Sequence, residues 1–91
     1  MKLDFNNLDL IQLQREVQAW TAKNFPNNKP YQPLLGVAEE VGELCHAHLK
    51  QEQGIRNTTQ ANKEDAVGDI IIYLADYCNR NNIHIDRKSV V

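Results

Sequence analysis

Glu39, Glu40 and Glu43 lie within five consecutive residues, and Asp65, Asp69 and Asp76 follow further along the chain. In an α-helix, at about 100° per residue, Glu43 falls between Glu39 and Glu40, so the three glutamates share an arc of roughly 100°. The aspartates, four and seven residues apart, fall on one stripe about 40° wide. Two acid faces brought together repel each other unless cations lie between them. All the candidate ligands are oxygens, which suits a hard divalent ion such as Mg²⁺ that keeps water and accepts phosphate. Carboxylate sites of this kind are built between facing helices of bundles.

The elements that must position these acids follow from apolar periodicity. Leu10, Leu13, Val17 and Trp20 predict a first amphipathic helix from about Leu8 to Asn24, with Gln12, Gln14, Arg15 and Gln18 outside. Pro26, Asn27, Asn28, Lys29 and Pro30 predict a loop, and Pro33 suits the first turn of a second helix that runs to about Gln53 and stops at Gly54. On that helix Val37, Val41, Leu44 and His48 form a core face beside the acids. Gly42, with Ala38 and Cys45 near it, leaves a thin edge where another backbone can approach. Thr58 or Thr59 caps a third helix from about Gln60 to Asn81, closed by the Asn79–Asn82 cluster. Val67, Ile70, Ile71, Ile72, Leu74, Ala75 and Cys78 mark this helix as buried nearly all round, and buried carboxylates must be paired, hydrogen-bonded or metal-bound. Residues 83–91 fit a tail, an edge strand or an abbreviated fourth helix. The fold class expected is therefore all-α: a small bundle of three long helices in a single domain, 1–91.

Blander readings stand beside the metal site. The glutamates can be a solvated helix face, Asp65 can answer a helix N-terminus, and Asp76 can pair with Arg80 one turn on. Cys45 and Cys78, outside any C-x-x-C motif, are expected to be reduced and buried. Together with His46, His48 and His84 they lack the paired spacing of structural zinc. Trp20, Phe25, Tyr31, Tyr73 and Tyr77 are core or interface residues, or stack on a base. Arg56, Lys63 and Arg80 are solvated charges or neutralise phosphate.

Composition narrows the function classes. A chain of 91 residues, 42% hydrophobic and 24% charged, is an ordinary globular domain of modest core, for which a second subunit is expected to complete the bundle. A net charge of -2 argues against a binder of nucleic-acid duplexes. No apolar run approaches the roughly 20 residues needed to span a bilayer, and Met1–Leu10 lacks the apolar core of a secretory signal. A cytoplasmic location is expected.

The string LLGVAEEVGEL (Leu34–Leu44), followed by KEDAVGDIIIYL (Lys63–Leu74), resembles the MazG-like nucleotide pyrophosphohydrolases of the all-alpha NTP pyrophosphatase superfamily. Their pattern is E-E-x-x-E on one helix and E-x-x-D on the next, and the match covers about half the chain. The resemblance implies Mg²⁺ or Mn²⁺ bound by Glu40, Glu43 and Asp69, with Glu39 orienting or deprotonating a water that attacks the α-phosphate. The products are a nucleoside monophosphate and pyrophosphate. Where the family has glutamate three residues before Asp69 this chain has Ala66, and Asp65 is the acid available on the same stripe as a further metal ligand. Family members usually carry a fourth helix, which the residues after Asn81 are too few to supply; a homodimer or dimer of dimers is expected. Trp20, Lys63, Asp76 and Arg80 complete the expected set as substrate-binding residues.

Overall fold

Asp9 starts the first helix: its carboxylate accepts from the Gln12 amide at 2.7 Å and so satisfies one of the donors a helix N-terminus leaves open. The structure, a computed structural model, describes residues 9–55 and 59–87. Leu8, Arg56, Thr58 and the last residues of the tail lie outside these. The described residues form three α-helices and no strand: α1 (Leu10–Asn24), α2 (Gln32–Glu52) and α3 (Gln60–Arg80). The all-α class and the three helices agree with the periodicity.

The helix ends follow from local chemistry. Pro33 occupies the first turn of α2, where a missing N–H costs nothing. At its other end Gly54 takes φ +73°, and the Ile55 and Gly54 amides turn back to the Lys50 and Gln51 carbonyls. This is a Schellman closure, which needs the left-handed conformation that glycine adopts without strain. Thr59 is the cap of α3; its hydroxyl accepts from the Asn62 amide at 3.1 Å. Asn82, at φ +56°, ends α3 in the same left-handed way, with the Ile83 amide bonded to the Cys78 carbonyl.

Packing places α3 at the centre. It lies against α1 on one side and α2 on another, while α1 and α2 do not pack against each other among the described residues. Leu13 and Val17 of α1 and Ala75 of α3 are the buried apolar core, with Ile72 and Ile85 packed on it. Gly36 marks the close approach of α2 to α3: a Cβ there would stand 2.6 Å from the Tyr73 ring. At Gly42, where a thin edge is expected, nothing among the described residues lies within 4 Å of a Cβ built there.

The structure corrects four expectations. α3 is not buried all round; Val67, Ile71, Tyr73 and Leu74 are exposed, as is Val41 on the supposed core face of α2. Two neighbouring helices cover two sides of a third and leave the rest open. Cys45 is exposed and Cys78 half-buried, both free thiols. Gln14, expected outside, ties down the tail: its amide nitrogen donates to the Ile83 carbonyl at 2.6 Å and its oxygen accepts from the Ile85 amide at 3.0 Å. Residues 83–87 are thereby a turn-rich strap across α1 rather than a strand or a helix.

Candidate metal and nucleotide site

The antiparallel approach of α2 and α3 sets the acids beside one another. Burial, then the charges of Glu43, Asp69 and Glu39, raises the carboxyl of half-buried Glu40 above its ordinary 4.5. The Tyr73 hydroxyl is likewise raised, first by burial and then by Glu40, Asp69, Glu39 and Asp76. Glu39, Glu40, Glu43 and Asp69 therefore share one field across the two helices, with the Tyr73 ring beside it. Glu39, Glu43 and Asp69 are exposed. Asp65 is also exposed on α3, but it is not among the charges that act on Glu40 or Tyr73.

Among the described residues, no three His, Cys, Asp or Glu side chains converge as a preformed metal cage. Mg²⁺ does not require one. It usually keeps several waters and binds through one or two carboxylates plus substrate phosphates. The all-oxygen donor set and its unrelieved mutual repulsion fit such an ion.

A cavity of about 370 Å³ lies between α1 and α3, lined by Trp20, Thr21, Phe25, Asn28, Asp69, Ile72, Tyr73 and Asp76. Its size is at the lower end of small-ligand pockets. Trp20 and Phe25 form a tilted aromatic pair, 5.5 Å between centroids. Asp69 and Tyr73 belong to both the cavity and the acid field, so a ligand seated among the aromatics reaches the carboxylates directly.

No protein-family model, no curated protein and no solved structure matches this chain.

The expected substrate-binding residues divide. Trp20 and Asp76 line the cavity. Lys63 lies instead in a separate hollow with Gln60, Glu64, Val67, Gly68 and Ile71. Arg80 is committed to structure: its Nε pairs with Asp76 at 2.7 Å, and its two terminal nitrogens donate to the carbonyls of Asn28 and Phe25. The ion-pair reading of Asp76 and Arg80 thus holds. Thr21 and Asn28 were not anticipated in the cavity. Thr21 follows Leu13 and Val17 at the same four-residue interval and bonds the Val17 carbonyl through its hydroxyl, a signal that periodicity contains. Asn28 sits in the loop, where no periodicity applies.

The raised Glu40 carboxyl has a consequence for stability. The folded chain holds that proton more tightly than the unfolded one, so the folded state binds more protons between 4.5 and the raised value. Stability must fall as pH rises through that window and stay lowered above it. Thermal melts in EDTA from pH 4 to 7 should therefore show the wild-type Tm dropping relative to Glu40→Gln as pH rises. A wild-type advantage that grows with pH would contradict the assignment.

Proposed function

We propose that the chain is an Mg²⁺-dependent nucleoside triphosphate pyrophosphohydrolase, converting ribo- or deoxynucleoside triphosphates and water to the monophosphate and pyrophosphate. The observation that supports this reading is the joint placement of Asp69 and Tyr73 in the shared carboxylate field and in the aromatic-lined cavity. In this reading Glu40, Glu43 and Asp69 hold Mg²⁺ or Mn²⁺, with Asp65 as the remaining acid on the α3 stripe. Glu39 orients or deprotonates the attacking water. Bound metal supplies a lowered pKa for water and neutralises charge on the phosphates. The protein's own task is then mostly positioning: Trp20, Phe25 and Tyr73 offer faces for a base, and the carboxylates direct the triphosphate toward the α2 side of the cavity. The role is that of a cytoplasmic house-cleaning or pool-shaping enzyme with no need for a nucleic-acid duplex. No helix among the described residues is long and apolar enough to cross a membrane.

The aromatic-lined cavity alone suits one alternative, a helical module that binds nucleotide or a partner without hydrolysis. Pyrophosphate release from a panel of ribo- and deoxynucleoside triphosphates, with Mg²⁺ and with EDTA, separates the two. Metal-dependent release from any member supports the enzyme. Nucleotide binding with no release by folded protein selects the module.

A further inference from the structure

Asp76 is the one charged side chain buried among the described residues, at 6% exposure. Arg80 answers half of it: Nε donates to Oδ1 at 2.7 Å, while Oδ2 receives no hydrogen bond from the described residues. A carboxylate oxygen taken from water without a donor costs free energy until a donor is supplied. Oδ2 is not sealed in, because no fully enclosed side-chain oxygen or nitrogen among the described residues lacks a partner. It must therefore open onto a hollow.

Two hollows border Asp76. One is the aromatic-lined cavity, and the other, of about 230 Å³, is lined also by Gln18, Pro26, Asn79 and Arg80. Arg80 lines the smaller hollow and not the cavity, so Oδ1 is committed on that side and Oδ2 is the oxygen left for the cavity. The charge reaches the cavity wall, since Asp76 is among the acids that raise the Tyr73 hydroxyl.

The rest of the lining narrows what Oδ2 can receive. Among the described residues no lysine, arginine or histidine lines the cavity, and both of its charges, Asp69 and Asp76, are negative. The Thr21 hydroxyl is spent on the Val17 carbonyl. Asn28 is held by its own carbonyl, which accepts from Arg80 at 3.0 Å, and its carboxamide has no partner among the described residues. Asp69 and Asp76 are seven residues apart, about 10 Å along α3, so Asp76 stands at the end away from the metal ligands. That end meets the edge of a base, while the phosphates lie toward Asp69.

We propose that Asp76 selects nucleotides whose base carries an exocyclic amino group beside a ring nitrogen, as cytosine and adenine do, over their deaminated counterparts uracil and hypoxanthine. The amino group is a donor and gives Oδ2 a charge-assisted hydrogen bond. The neighbouring ring nitrogen is an acceptor that the Asn28 amide can serve. In uracil and hypoxanthine a carbonyl oxygen replaces the amino group and is repelled by the carboxylate. Their ring N–H is no substitute, because it is flanked by carbonyl oxygen, on both sides in uracil. The inference rests on the nucleotide-binding part of the reading above and not on hydrolysis.

Matched pairs of nucleotides test it on the whole wild-type chain. Trp20 is the only tryptophan and lines the cavity, so its fluorescence reports binding. Titrations with dCMP and dUMP, and with dAMP and dIMP, in Mg²⁺ measure affinity without turnover, and pyrophosphate release from the four triphosphates measures kcat/KM. The amino member of each pair should be favoured by at least about 10-fold, the lower end of what a hydrogen bond to a charged group contributes. A smaller or inverted ratio in either pair overturns the inference; if pyrophosphate is still released, the enzyme reading stands without it. The expected ratio in binding with no release from any triphosphate supports the inference and removes the enzyme. No fluorescence change and no release with any of them overturns both. Asp76→Asn should bring each ratio to within about 3-fold of unity, because an amide offers a donor to the carbonyl as readily as an acceptor to the amine. If that variant does not fold, Asp76→Asn with Arg80→Gln leaves no unpaired charge and serves in its place. A folded variant that keeps the wild-type ratio overturns the role of Asp76. If neither folds, the wild-type ratios decide.

Discussion

Asp69→Asn should lower Mg²⁺-dependent pyrophosphate release by at least about 100-fold, above the 10–100-fold typical of losing an outer-shell partner of a metal site. Glu43→Gln should do the same. Both substitutions keep side-chain shape and remove one negative charge from the field around Glu40. Both residues are exposed and neither has a cation partner within ion-pair distance among the described residues, so the folded state loses nothing it depends on. Exposed sites without special contacts shift stability by only about 0.5 kcal/mol either way. Far-UV circular dichroism and Tm in EDTA should therefore stay at or slightly above wild type while turnover collapses. That separation is the diagnostic feature, since a purely structural acid gives no collapse and a folding defect gives no intact melt. A double variant with full turnover would end the pyrophosphohydrolase reading.

How much of this was legible in the sequence depends on what each residue answers to. Leu13 and Val17 respond to their own helix and its neighbour, and their spacing is visible in one window. Gly54 and Thr59 act through hydrogen bonds a few residues away, so the stop of α2 and the cap of α3 can be read directly. α3 misled because Val67, Ile71 and Leu74 carry the same apolar signal whether the surface they need belongs to this chain or to another. Gln14 misled for the opposite reason: its partners, Ile83 and Ile85, are 69 and 71 residues away, and a glutamine among polar neighbours gives no hint of them. At the site, the shared face of Glu39, Glu40 and Glu43 was legible from helical angles. The juxtaposition with Asp69 was legible only on the assumption that α2 and α3 run antiparallel. The cavity was not legible, because its lining joins α1 and the loop after it to α3, residues far apart in sequence.

Arg80→Ala should cost about 3 kcal/mol in urea unfolding, a large share of the stability of a small domain, because it leaves the buried Asp76 carboxylate without its cation. The guanidinium also holds the α1–α2 loop through the Phe25 and Asn28 carbonyls, contacts that span 55 and 52 residues of sequence. Arg80→Lys keeps the charge but not the planar fork that reaches three acceptors, and the loss of the loop bonds should cost about 1 kcal/mol for each that is not replaced. The order wild type, Arg80→Lys, Arg80→Ala is therefore expected, and an Arg80→Ala variant within about 0.5 kcal/mol of wild type would show that the pair is merely a surface contact. Nucleotide handling should change with it. Phe25, Asn28 and Asp76 all line the cavity, so freeing the loop loosens one wall while Glu39, Glu43 and Asp69 stay where α2 and α3 hold them. In the lysine variant, which keeps enough stability to assay, the effect should appear mainly as a higher KM with a smaller change in kcat. A metal-side substitution such as Asp69→Asn should instead act on kcat, so the two walls of the site can be told apart by kinetics alone.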